Sequence, residues 1–63
     1  MARHTAEVAT IRTLVEELQT RVLGLAQDSD ASAREDLGRA LFEAERSLRS
    51  AGRQLARAEK LLT

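Results

Sequence analysis

Apolar residues recur along this chain at alternating steps of three and four, and that rhythm leaves few folds open to it. The first run is Val8, Ile11, Val15, Leu18, Val22 and Leu25; the second is Leu37, Leu41, Ala44, Leu48, Ala51, Leu55, Ala58 and Leu62. Such spacing keeps side chains on one stripe of an α-helix and repeats every seven residues. Lettered as a heptad, the first run has Val at every a position and Ile or Leu at d. The second has Leu at every a, and at d Leu37 followed by three alanines. Proline is absent, and Ala, Leu, Arg and Glu, all strong helix formers, make up more than half of the chain. The pattern predicts an all-α fold: a helix over about 5–26, a second over about 32–62, and one antiparallel helical hairpin as a single domain across 1–63.

Between the runs, Gln27 to Ser32 is polar and breaks the rhythm, so it is expected to be the turn. Asp30 or Ser32 is placed to cap the second helix, and Ser32 with Glu35 has capping-box spacing. The acidic residues there lack the glycine and terminal glutamate of a calcium loop, so no metal site is expected. A turn centred near residue 29 or 30 would set Val22 level with Leu37, Leu18 with Leu41, Val15 with Ala44, Ile11 with Leu48 and Val8 with Ala51. Bulky layers would alternate with slim ones, and a shift of one heptad would keep that alternation. The fourteen stripe residues are therefore the expected hairpin core. In this register Arg12 and Glu45 fall near the same height, and Leu23 neighbours Phe42. Five opposite-charge i,i+4 pairs (Arg3–Glu7, Arg12–Glu16, Glu17–Arg21, Glu35–Arg39 and Glu45–Arg49) add modest helix support.

A 63-residue domain buries only about 60% of the surface its unfolded chain exposes, which makes it marginal alone. Without cysteine there is no disulfide or thiolate–metal staple, and self-association is the remaining source of burial. Gly38 and Gly52 share one heptad position, where each costs about 1 kcal/mol relative to alanine. Close packing of another backbone explains that cost. The face made by Leu23, Gly38, Phe42, Gly52 and Ala56 is accordingly the expected dimer face, giving a homodimeric four-helix bundle. The opposite flank offers Leu14, Ala33, Ala40, Ser47 and Leu61.

Catalytic chemistry has little to draw on. His4 is the one imidazole, set where the first stripe reaches its end, and a packing role is expected for it. No phosphate loop or inward carboxylate pair occurs, so the chain is expected not to be an enzyme and to need no cofactor. The remaining feature is basic: Arg39, Arg46, Arg53 and Lys60 recur every seven residues, with Arg49 and Arg57 beside them. Such a stripe could meet nucleic-acid phosphates or an acidic partner. Interspersed glutamates, zero net charge and no aromatic ring for base stacking make a solvated face the preferred reading.

No apolar run is long enough to span a membrane, and the N-terminal residues do not resemble an export signal, which points to the cytoplasm. Nine arginines to one lysine, with 21 Ala and Leu together, fit coding in a GC-rich bacterial genome. Two helices, a short Asp-containing turn and alternating large and small layers make the plan similar to the plasmid repressor-of-primer family. That resemblance implies a four-helix homodimer that binds RNA. It covers length and architecture only, because Thr10 and Leu14 stand where that family presents an aromatic and an asparagine. No functional residue is carried over. The expectation is a self-associating protein-interaction regulator or scaffold, with a nucleic-acid-associated regulator as the alternative.

Overall fold

The apolar rhythm stops at Leu25, but the first helix does not. The structure, a computed structural model, describes residues 2–31 and 34–62, with side chains over 4–29 and 34–62. It contains two helices, α1 (Ala2–Ala31) and α2 (Glu35–Leu62), packed on each other as a hairpin. Thus α1 runs through the segment expected to be the turn, and α2 starts later than residue 32. Loss of the rhythm at Gln27 reports loss of burial; with no glycine or proline from Gln27 to Ala31, nothing ends the helix. The Ser29 hydroxyl donates to the Leu25 carbonyl at 2.8 Å, a bond serine makes inside a helix.

Arg34 ties the two helices together through its backbone. Its N–H donates to the Ser29 carbonyl at 3.0 Å, and its own carbonyl accepts from the Gly38 N–H at 2.9 Å. Arg34 therefore stands at the N-cap of α2, and Asp30, one of the two expected caps, lies within α1. Ser32, the other cap, and Ala33 of the outer flank lie outside the described residues. Glu35 and Asp36 occupy the first turn of α2 and Lys60 the last, both favourable to the helix dipole.

The later turn moves the register by one heptad. A methyl group added at Gly52 would lie 3.9 Å from Val15 Cγ1, and the Gln19 amide reaches Glu45 at 3.0 Å. Val15 is thus level with Ala51, and Val22, seven residues on, with Ala44. Large residues still share a height with large, and small with small, as Leu18–Leu48 and Val15–Ala51 illustrate. The molecule is an antiparallel pair of rods, with principal Cα extents of 48 × 13 × 10 Å.

Candidate interaction surface

The two helices do not meet through their apolar stripes. The seam is centred on the e positions: Thr5, Arg12, Gln19 and Ala26 on α1, and Gly38, Glu45, Gly52 and Glu59 on α2. Ala26, Gly38, Glu45 and Gly52 are buried there, and the others are half-buried. On one side of this line stand the a residues, and on the other Ala9, Leu23, Phe42 and Ala56, all half-buried. The face expected to dimerise, with Gly38 and Gly52, is therefore the inner face of the hairpin. Small side chains explain the choice. Glycine and alanine along e let the backbones approach where the bulky stripes would hold them apart.

Polar groups fill the rest of the seam. Arg12 Nε donates to Glu59 Oε1 at 2.6 Å, and the same guanidinium meets Glu16 at 3.2 Å. Glu45, only 3% exposed, accepts from Gln19 Nε2 at 3.0 Å and from Arg49 Nη2 at 2.7 Å. The expected levelling of Arg12 with Glu45 is thus corrected, a consequence of the one-heptad shift. Arg49 donates the principal hydrogen bond that holds the Glu45 carboxyl below its ordinary pKa, with Gln19 assisting; burial opposes them without prevailing. Glu59 likewise raises the pKa of Arg12, by hydrogen bond and charge. No buried side-chain polar atom among the described residues lacks a partner. The signal for this seam was present in the sequence: basic and amide residues at e of α1, carboxylates at e of α2.

A seam on e turns both apolar stripes to one side. Antiparallel helices joined through the same heptad position are related by a two-fold axis normal to their common plane, so a and d of α1 point the same way as a and d of α2. The fourteen residues expected as a hairpin core form instead one continuous open face. Its a residues Val8, Val15, Val22, Leu41, Leu48 and Leu55 are half-buried along the seam. Its d residues stand clear: Ile11 is 41% exposed, Leu18 46% and Leu25 57%, with Leu37 and Ala44 exposed too. Leu62 is also exposed, and Ala51 and Ala58 are half-buried. Leu14 and Leu61 widen the face at its edges.

The hairpin consequently lacks an interior. Among the described residues Ala26 is the one buried apolar residue, and no large side chain is fully enclosed. Accessible surface totals 4902 Å², whereas a compact monomer of 6.9 kDa exposes about 4000 Å².

The opposite side of the hairpin is polar. Arg39, Arg46, Arg49, Arg53, Arg57 and Lys60 are all exposed there. Arg49 is engaged with Glu45, while Arg39, Arg46, Arg53 and Arg57 enter no ion pair among the described residues. A shallow depression lined by Glu35, Arg39, Phe42, Glu43 and Arg46 mixes both charges around one ring. His4 is exposed rather than packed. Thr10 is turned to its own helix, donating to the Ala6 carbonyl at 3.0 Å. Among the described residues no three His, Asp or Glu side chains group as metal ligands, and no helix is long and apolar enough to cross a membrane. Comparison with protein-family models, curated proteins and solved structures finds no match for the chain.

Proposed function

We propose that this chain is a non-enzymatic helical hairpin that self-associates into a four-helix bundle and serves as a protein-interaction regulator or scaffold. One observation carries the reading: the fourteen a and d residues lie on one side of the hairpin, six of them exposed and eight half-buried, and no large side chain among the described residues is fully enclosed. The stripe residues span about 26 Å along α1 and about 38 Å along α2, and at about 10 Å per helix the face covers on the order of 600 Å². That is the top of the range for the largest patch on a typical monomer, about 300–600 Å², and most of the about 800 Å² that a standard-size interface takes from each partner. Covering the face supplies the core that the hairpin lacks, and leaves the polar side as the surface for another protein.

Sedimentation equilibrium over a concentration series tests the reading. The expected result is a dimer mass for the native chain and a monomer mass for Leu18→Glu, with helicity falling as the dimer dissociates. A native chain that stays monomeric and fully helical at high concentration overturns it.

A second reading rests on the four arginines of α2 that enter no ion pair among the described residues. They favour contact with phosphates, and the protein would then be a nucleic-acid-associated regulator. Salt-sensitive co-sedimentation with duplex DNA or RNA, lost in an Arg46→Ala/Arg53→Ala variant, is its expected signature.

A further inference from the structure

Resting on the self-association proposed above, we infer that the open face takes a second copy of this chain turned end for end, so that the two turns lie at opposite ends of the bundle. Side-chain volumes favour this orientation. Within one hairpin, Leu18 is level with Leu48, and one step along Val15 is level with Ala51, so the face presents large rows and small rows in alternation. A second copy can be laid on it by a two-fold axis parallel to the helices or by one perpendicular to them. The parallel axis keeps every residue at its own height. Leu18 and Leu48 then meet themselves, Val15 and Ala51 meet themselves, and overfilled layers alternate with loose ones.

The perpendicular axis passes between Glu16 and Glu17 on α1 and between Arg49 and Ser50 on α2. Leu18 and Leu48 of one copy then share a layer with Val15 and Ala51 of the other. The rule repeats along the bundle: all six central layers contain one Ile or Leu from α1, two small residues, Val and Ala, and a Leu from α2. Even filling is what a close-packed interior requires. The axis also bisects α1, whose 30 residues run from Ala2 to Ala31, so the hairpins overlap fully.

Charge agrees in sign. Residues 17–49, the half nearer the turn, hold seven Asp and Glu against five Arg, and the remainder carries the compensating excess of two positive charges. End-for-end pairing sets the acidic half of one copy on the basic half of the other, whereas the parallel axis stacks like on like. This is the smaller effect, because the charges are spread over the surface and screened within about 8 Å at physiological salt. It is also opposed locally, since Glu7 of one copy comes near the height of Asp28 of the other. Layer volumes decide the orientation.

The chain has no cysteine, so single spin labels report the arrangement directly. Arg34→Cys places a label at the turn, and Ser50→Cys places one near the axis; each is measured at a concentration where sedimentation gives a dimer and circular dichroism an intact helix content. The expected separations are about 50 Å at residue 34 and under about 20 Å at residue 50. A dimer with about 20 Å at residue 34 and about 30 Å at residue 50 has its turns together and overturns the orientation while leaving self-association standing. A monomer mass for both labelled variants and for the native chain overturns self-association itself, and the orientation with it.

Discussion

Arg12, in the first half of α1, and Glu59, in the last turn of α2, meet at 2.6 Å across 47 residues of chain. The contact clasps the end of the hairpin away from the turn, where chain connectivity contributes nothing. Both side chains are about one-quarter exposed, so the pair is better shielded from water than an ordinary surface ion pair. Arg12→Glu and Glu59→Arg are each expected to lower the melting temperature, measured by circular dichroism at fixed protein concentration. Combining them should recover part of the loss, because the pair is rebuilt with its charges exchanged. Recovery stays incomplete, since Glu16 would then face a like charge one turn away. Additive losses in the double variant would show that the pair is not coupled.

Glu45 gives the fold an acid-sensitive point. Its carboxyl is held below the ordinary glutamate pKa by hydrogen bonds from Arg49 and Gln19. A folded-state pKa below the unfolded one means that the charged form contributes stability above about pH 4.5. That contribution disappears as the pH falls through the lowered folded value. Glu45→Gln is therefore expected to melt below the native protein at pH 7, with the gap closing as the pH falls below about 4.5 and through the lowered folded value. A gap that stays constant over that range would assign the effect to packing alone.

How much of this was legible in the sequence depends on which heptad position is asked about. Helix number, order and the a and d stripes follow from spacing alone, because a 3.6-residue period admits one stripe per helix. Which way the stripes face does not follow, because a two-helix layer can be joined through its stripes or through a flank beside them. The flank wins here because Ala26, Gly38 and Gly52 let backbones approach and because Arg12, Gln19, Glu45 and Glu59 complement one another there. The spacing does not locate the turn, for a related reason. Gln27 to Ala31 is polar without containing a helix breaker, and polarity reports solvent rather than secondary structure.

Gly52 and Gly24 are not held in place by a tight fit. A methyl group at Gly52 would stand 3.9 Å from Val15 and 4.0 Å from Glu16, which is ordinary van der Waals contact, and one at Gly24 would meet nothing within 4 Å. Gly52→Ala and Gly24→Ala are each expected to stabilise the protein by about 0.5–1 kcal/mol, through helix propensity and a less flexible unfolded chain. Gly52→Leu should destabilise it, because the longer side chain reaches into α1. Urea denaturation at constant concentration reads all three. Loss of stability in Gly52→Ala would mean that the seam is closer than these distances.

Ala51 and Leu48 test the layers. In the end-for-end bundle the Ala51 of one copy shares a layer with the Leu48 of the other, so one large and one small side chain from the two α2 helices fill it. Ala51→Leu puts two large residues there, and such overpacking costs about 1–3 kcal/mol. Leu48→Ala leaves two small ones and a cavity, at about 2–5 kcal/mol. The double variant restores one of each, and its dimer should be tighter than that of either single variant. If the turns lay together instead, Ala51 would sit in a loose layer of small residues, and Ala51→Leu would tighten the dimer by filling it. The sign of the change in dimer affinity for Ala51→Leu, read by sedimentation, thus distinguishes the two arrangements without any label.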